Sequence, residues 1–161
     1  MKVLLLFLLI AFPAYSLDLL PPIEEYEISS RIGLRTNPMG GIDYFHKGVD
    51  LVGKHHAPVK AAAYGKVIAH WPPPNYYFKG HPVFGGTIII FHGGGLYTLY
   101  GHLSKTFVHE RDMVQQGQVI GLQGNTGKST GEHLHFEVII DPIILFNPDK
   151  EKDIINIILG E

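Results

Sequence analysis

Short runs of β-branched and aromatic residues alternate with glycine and proline from about residue 30 to residue 140. The turn-forming residues recur roughly every 8–12 positions, a spacing typical of all-β domains. Six runs have the composition of strands: residues 59–63, 66–71, 87–92, 96–102, 118–122 and 133–140. The run Gly93-Gly94-Gly95 separates two of them and predicts a hairpin turn. We therefore expect a mostly β fold, a small antiparallel sheet or sandwich.

The last of these runs alternates between apolar and polar residues. Because side chains alternate between the two faces of a strand, each set shares one face. The apolar set comprises Leu134, Phe136 and Val138. The polar set comprises His133, His135 and Glu137. A sheet buried on both faces would not tolerate the polar set, so we expect one packed face and one open, solvated face that carries the histidines.

Residues 1–16 have the layout of a secretory signal peptide. A positive charge at Lys2 precedes an uncharged run from Val3 to Tyr15, and small residues flank Tyr15. This run of 13 residues is shorter than the ~20 that an α-helix needs to span a bilayer. We therefore expect cleavage near Ser16, no stable membrane span in the mature chain, and a periplasmic or secreted location.

The rest of the chain predicts one domain with two short flanks. Residues 17–29, which include Pro21-Pro22, form an N-terminal lead-in, and residues 30–148 form the domain. Residues 149–161 form a C-terminal tail that could fold as a short helix, capped by Asp149 and ended by Gly160. We expect the apolar stripe of this helix to dock on the body of the protein.

Composition narrows the kinds of site that the chain can build. A net charge of −2 offers no basic surface for nucleic acid. The absence of cysteine excludes disulfides, cysteine nucleophiles and cysteine-bound zinc. A site must therefore use histidine, aspartate and glutamate, and the chain has ten histidines.

Three segments carry candidate ligands: the H-x-x-x-D of His46 and Asp50, the lone His102, and the H-x-H of His133 and His135. Each motif alone is expected by chance in so histidine-rich a chain, and His46 with Asp50 could be a simple hydrogen-bonded surface pair. Together they match a catalytic zinc set of two imidazoles and one carboxylate, in which one strand histidine joins His46 and Asp50. The other strand histidine could then transfer protons beside the water that the ion activates.

Several other segments receive weaker predictions. Residues 71–85 are rich in proline and aromatic residues and predict a long surface loop, either packed on itself or forming a flap over substrate. Residues 124–131 resemble a phosphate-binding loop, but a strand follows instead of a helix, so a tight glycine-shaped turn is favoured. Six histidines have no partner at a suitable spacing and are assigned no role: His55, His56, His70, His81, His92 and His109.

From about Ser30 to Pro148 the sequence resembles the lysostaphin/LytM-type peptidoglycan metalloendopeptidases. The resemblance rests on the order and spacing of several stretches: His46-Lys47-Gly48-Val49-Asp50-Leu51, Pro58-Val59-Lys60-Ala61 with Gly65-Lys66-Val67, Tyr100-Gly101-His102-Leu103, Gly117-Gln118-Val119-Ile120-Gly121, Gly124-Asn125-Thr126-Gly127, and Ser129-Thr130-Gly131-Glu132-His133-Leu134-His135-Phe136-Glu137. Two departures concern Arg111, which stands where the family usually has a turn glycine, and the loop at residues 71–85, which is longer than usual.

The resemblance implies a role for each matching residue. His46, Asp50 and His135 would bind one zinc ion, and His102 and His133 would be the catalytic histidines that do not bind it. Glu137 would at most support a ligand from behind. The implied fold is a small, mostly antiparallel β-structure with the site in a groove on one sheet face.

The resulting hypothesis is a zinc endopeptidase that cuts peptide bonds in peptidoglycan, in a cross-bridge or a stem peptide. One alternative is a non-catalytic domain of the same family that binds the cell wall or activates other wall hydrolases. All five site residues are present, which favours the enzyme. Another alternative, a swivelling domain of the biotinyl-lipoyl type, leaves those five residues unexplained.

Overall fold

A computed structural model describes residues 18–36, 43–75 and 79–141, and within them the protein consists of strands joined by turns, with no helix. The strands are β1 (Glu27–Ser30), β2 (Gly33–Arg35), β3 (Tyr44–His46), β4 (Val49–Val52), β5 (Pro58–Lys60), β6 (Gly65–Trp71), β7 (Gly86–Gly93), β8 (Leu96–Leu103), β9 (Lys105–Thr106), β10 (Met113–Val114), β11 (Val119–Leu122) and β12 (Leu134–Ile140). The expected signal peptide and the C-terminal helix lie outside the described residues.

The strands form three antiparallel sheets, as the sequence predicts. A seven-stranded sheet has the order β1-β4-β12-β8-β7-β6-β10, a three-stranded sheet the order β5-β11-β9, and a two-stranded sheet pairs β2 with β3. In the large sheet the Cα atom of Asp50 on β4 pairs with that of His135 on β12, which in turn pairs with Gly101 on β8. This register places the candidate site where three adjacent strands meet.

All six predicted strands are present, and their ends differ from the prediction by at most three residues. The predicted hairpin joins β7 to β8, and each of Gly93, Gly94 and Gly95 has a positive φ, which favours glycine. The other strands, β1 to β4 with β9 and β10, have two to four residues each. Alternation over so few residues does not by itself indicate a strand, and these segments do not belong to longer runs of strand-forming residues as β5 and β11 do.

The main core lies between the large sheet and the three-stranded sheet. Val67, Ile88 and Tyr100 contribute from the large sheet, and Val59 and Ile120 from the small one. Leu134 and Phe136 of β12 also pack here, which confirms the predicted apolar face of that strand. Val138, farther along β12, is exposed.

The prediction that the opposite face of the large sheet is solvated is wrong. Ile89, Tyr97 and Leu99 form a second apolar cluster on that face, and Trp71 and Phe84 pack against it. His135 and Glu137 are also buried, at 4% and 7% exposure. The polar row tolerates burial because its members bond to one another and to neighbouring polar groups, a compensation that alternation alone does not indicate.

Arg111, at the position where the family resemblance led us to expect a turn glycine, lies in the turn before β10. Arg111 has a φ of 78°, the left-handed conformation that a glycine would adopt without strain. Its backbone N–H donates to the carbonyl of Val67 at 2.8 Å, which ties the turn to β6. Arg111 therefore adopts, at a cost in strain, the backbone conformation that glycine favours.

The segment before β1 packs on the domain. Leu20 donates a backbone hydrogen bond to Ala62, and Pro22 accepts one from Lys60. Ile23 is 2% exposed and belongs to the main core. Within the described residues, no helix is long and apolar enough to cross a membrane.

Candidate metal centre

Two consecutive strands and one strand from a distant part of the sequence bring together a group of buried ligands. His46 ends β3, Asp50 lies on β4 after a two-residue turn, and His135 lies on the neighbouring β12. Their exposures are 3%, 5% and 4%. Gly48 permits this approach, because a Cβ atom there would lie 2.5 Å from the carbonyl oxygen of Phe136 and 2.9 Å from the His135 ring.

The three facing donor atoms form a nearly equilateral triangle. Nε2 of His46 lies 2.9 Å from Nδ1 of His135 and 3.0 Å from Oδ1 of Asp50, and the latter two atoms are 2.9 Å apart. A tetrahedral zinc ion with ligand bonds of about 2.0–2.1 Å separates its ligand atoms by about 3.3 Å. The triangle needs to widen by only a few tenths of an ångström, so the donor set and its spacing fit such an ion.

Each ligand also forms a hydrogen bond to a further group, on its side away from the triangle. Nδ1 of His46 donates to the carbonyl oxygen of Arg31 at 3.0 Å, which leaves the Nε2 lone pair facing the site. Nε2 of His135 donates to Glu137 at 2.9 Å, and this leaves Nδ1 facing the site. Arg35 donates to Oδ2 of Asp50 at 3.1 Å, on the side away from the triangle. Such outer bonds set the tautomer and orientation of metal ligands.

Electrostatics favours a charged carboxylate at the centre. Burial would raise the pKa of Asp50, but the hydrogen bond from His135 and the charges of the surrounding histidines hold that pKa well below its ordinary range. Burial would lower the pKa of His135, but its bonds to Asp50 and Glu137 outweigh burial and raise that pKa. The site therefore concentrates negative charge around a place that a proton or a cation can fill.

His102 and His133 lie beside this triangle. Nε2 of His133 is 3.6 Å from Oδ1 of Asp50, and the rings of His102 and His133 are 4.7 Å apart. Nδ1 of His102 donates to the Thr126 carbonyl at 2.7 Å, and Nδ1 of His133 donates to the Gly131 carbonyl at 2.8 Å. In both rings Nε2 is consequently the nitrogen that remains for proton exchange.

His102 has two features that are common at functional sites. Its φ is 62°, a strained conformation for a residue other than glycine. Burial, together with repulsion from His133, lowers its pKa to about 4. The imidazole is therefore neutral at pH 7 and able to accept a proton.

The loop at residues 71–85 packs on itself and also forms one wall of the site. The rings of Trp71 and His81 meet edge to face, and His81 stacks on Phe84. Phe84 in turn stacks on His135 with the ring centroids 4.9 Å apart, and its ring lies 6.1 Å from that of His102. Residues 76–78 of this loop lie outside the described residues.

The structure thus brings together all five residues that the sequence singled out. Sequence reasoning missed Arg35, Phe84 and the carbonyl groups of Arg31 and Thr126. A carbonyl is present in every residue, so nothing in the residue type marks it as a partner. Arg35 lies fifteen positions before Asp50, with no periodicity that would link the two.

Known proteins with similar sequences include peptidases, which is consistent with a metal centre of this geometry. The pattern of Peptidase family M23 matches residues 44–147, more than half of the chain. Peptidoglycan DD-endopeptidase ShyA of Vibrio cholerae is 35% identical over 131 residues, which cover 81% of this chain and 27% of that protein. The chain spans 26–27% of the length of such curated relatives.

Solved structures that are similar to this chain also include peptidases. A zinc-containing peptidase from Vibrio cholerae superposes with a TM-score of 0.62 at 36% identity, covering 74% of this chain and 35% of that one. The catalytic domain of lysostaphin from Staphylococcus simulans superposes with a TM-score of 0.59 at 34% identity, covering 71% of this chain and 80% of that domain. The resemblance inferred from the sequence motifs is confirmed, and the chain belongs to peptidase family M23.

Proposed function

We propose that this protein is a zinc-dependent endopeptidase that hydrolyses peptide bonds in bacterial peptidoglycan. The observation that carries the proposal is the buried triangle of donor atoms from His46, Asp50 and His135, with two further histidines beside it. The named relatives include a peptidoglycan DD-endopeptidase and lysostaphin, which supports the same substrate class. Peptidoglycan lies in the cell envelope, so we also propose that the protein acts there.

In this proposal His46, Asp50 and His135 hold a single zinc ion. When bound, the ion acts as a Lewis acid that polarises the scissile carbonyl and lowers the pKa of water. The outer partners Arg31, Arg35 and Glu137 keep the three ligands in place. Because the three ligands and Glu137 are buried, they need little rearrangement when substrate arrives.

The two remaining histidines handle protons in this proposal. His102 is neutral at pH 7, and its Nε2 atom accepts a proton from the attacking water. His133 presents its Nε2 atom toward Asp50, at 3.6 Å from Oδ1, and in this proposal it stabilises the negative charge that develops on the substrate. The carbonyl groups of Thr126 and Gly131 hold the two rings in these orientations.

The test combines metal content with cleavage of purified peptidoglycan. Wild-type protein should retain zinc and release muropeptides that mass spectrometry identifies. His135→Ala should lose both zinc at this centre and activity. His102→Ala and His133→Ala should keep that zinc but lose about 10²-fold or more in kcat, the usual contribution of a proton-transferring group.

His109→Ala serves as the matched control, because this histidine is exposed and outside the centre. It should keep both zinc and activity. Normal cleavage by His102→Ala and His133→Ala would overturn the assigned roles. Wild-type protein that binds peptidoglycan and zinc without cleaving would instead indicate the non-catalytic alternative.

A further inference from the structure

A second cluster of potential metal ligands lies on the surface, in residues that the proposed active site does not use. His55 and His56 occupy the turn between β4 and β5, and Glu132 lies two residues before β12. Nδ1 of His55 is 2.6 Å from Oε2 of Glu132. One ligand atom from each of the three residues lies within 4.8 Å of the others. Two imidazoles and a carboxylate therefore meet although 76 residues separate His56 from Glu132.

Hydrogen bonds from the protein fix the position of the Glu132 carboxylate. Its Oε1 atom accepts a 2.6 Å hydrogen bond from the backbone N–H of His56 and a 3.3 Å bond from Nε2 of Gln123. Gln123 is 1% exposed, and its Oε1 atom accepts a hydrogen bond from the backbone N–H of Gly53. A buried glutamine thus ties Glu132 to the turn that carries both histidines.

The two histidines are also arranged in an unusual way. Adjacent side chains in extended backbone point in opposite directions. His56 instead has a φ of 53°, and its ring stacks on that of His55 with centroids 3.9 Å apart. The strained backbone therefore places both imidazoles on the same side of the chain, where they stand beside Glu132.

We propose that His55, His56 and Glu132 form a second metal site that binds one divalent transition-metal ion such as Zn²⁺. Imidazole nitrogen and carboxylate oxygen are ligands that this ion prefers, and water completes the coordination at an exposed site. The ion would sit between Nδ1 of His55 and Oε2 of Glu132, in place of the direct contact between these two atoms. The two stacked rings must turn slightly toward the carboxylate so that all three side chains can bind the same ion.

A metal ion at this position would connect two loops. One is the turn at residues 53–56, and the other is the segment that leads directly into His133. Binding favours the folded form in which the loops are already adjacent. Zinc should therefore stabilise the protein through this site independently of the buried centre.

The experiment is a zinc titration of the full chain by calorimetry, with metal content measured after gel filtration. Wild-type protein should bind about two ions per chain, and the double variant His55→Ala/His56→Ala about one. His135→Ala should lose the buried ion but keep the surface ion, so the two sites fail separately. Glu132→Gln preserves the hydrogen bond from His56 but removes the charge, and it should weaken the surface site at least tenfold.

His109→Ala is the control, because His109 is an exposed histidine that also faces a carboxylate, Asp112, at 4.0 Å. It should bind as many ions as the wild-type protein. A double variant that binds the same number of ions as wild type would overturn the proposal. So would wild-type protein that binds one ion, all of which is lost in His135→Ala.

Discussion

Each imidazole at the candidate centre uses one nitrogen to bond to the protein and keeps the other for the site. In His46 and His135 the nitrogens used for the protein differ, Nδ1 in the first and Nε2 in the second. The choice depends on which partner stands behind the ring, a carbonyl in one case and the Glu137 carboxylate in the other. These partners decide which lone pair can bind a metal, so their removal should affect metal binding directly.

Replacing Glu137 by glutamine tests this dependence. The amide still accepts the hydrogen bond from His135 but no longer carries the charge that makes the imidazole a stronger ligand. Zinc affinity, measured by competition with a chelator, should fall about 10–100-fold. Glu27→Gln, on the exposed edge strand β1, should leave the affinity unchanged. An unaltered affinity in Glu137→Gln would contradict a supporting role for this carboxylate.

His102 should make the metal-free protein sensitive to acid. Its folded-state pKa is lowered to about 4, whereas an unfolded histidine titrates near 6.5. Between these two values the unfolded chain binds a proton that the folded chain does not. Stability is therefore lost as the pH falls from about 6.5 to 4, by on the order of 3 kcal/mol from this residue.

Urea unfolding of the metal-free protein at pH 7 and pH 4.5 measures this loss. His102→Gln retains a group that can donate to Thr126 but cannot titrate, so it should lose less stability over the same range. Other buried histidines titrate in both proteins, and their contributions cancel in the comparison. Equal losses in the two proteins would show that His102 is not the responsible group.

At the scale of elements, the turn between β3 and β4 determines whether the ligands can meet. A side chain at Gly48 would collide with backbone of β12 at Phe136, and backbone cannot move aside as a flexible side chain can. Gly48→Ala should therefore cost about 1–3 kcal/mol, typical of overpacking, and weaken zinc binding.

Thermal unfolding and zinc content together check the prediction for Gly48→Ala. The matched control is Gly131→Ala, because a Cβ atom there meets nothing within 4 Å. It should keep both stability and zinc. A Gly48→Ala variant with wild-type stability and zinc content would mean that β12 moves away from the turn at little cost.

Elements differ in how far the sequence predicts them. β7, β8 and β12 have seven or eight residues each, long enough for their composition and alternation to indicate strands. β3 and β4 are short, and they carry two of the proposed ligands. Their conformation depends on pairing with β2 and β12, which local composition does not indicate.

At the scale of the whole molecule, a bound ion would join β3, β4 and β12 where they meet. Removing zinc with a chelator should lower the thermal midpoint by about 10 °C, because an ion present at about 100 times its dissociation constant contributes about 2.7 kcal/mol. Differential scanning calorimetry before and after chelation measures the shift, and added zinc should restore the midpoint.

The His55→Ala/His56→Ala background separates this effect from the surface site. There the chelator should still lower the midpoint, since the buried ligands are intact. In His135→Ala the buried ion should no longer contribute to the thermal midpoint. A midpoint that chelation leaves unchanged in the double variant would argue against a structural contribution from the buried ion.

Residue composition and motif order were enough to predict the class of fold, the long strands and the five residues of the candidate site. Strand composition and turn residues act locally, and motif order along the chain is visible without coordinates. The folded chain was needed to show which nitrogen of each histidine faces the site, that the polar face of β12 is buried, and that Phe84 and Arg35 contact the ligands. The fold also places Glu132 next to His55 and His56, which are distant from it in the sequence. Pairing between distant strands creates these contacts, and a buried polar group is tolerated only where such pairing supplies its hydrogen-bond partner.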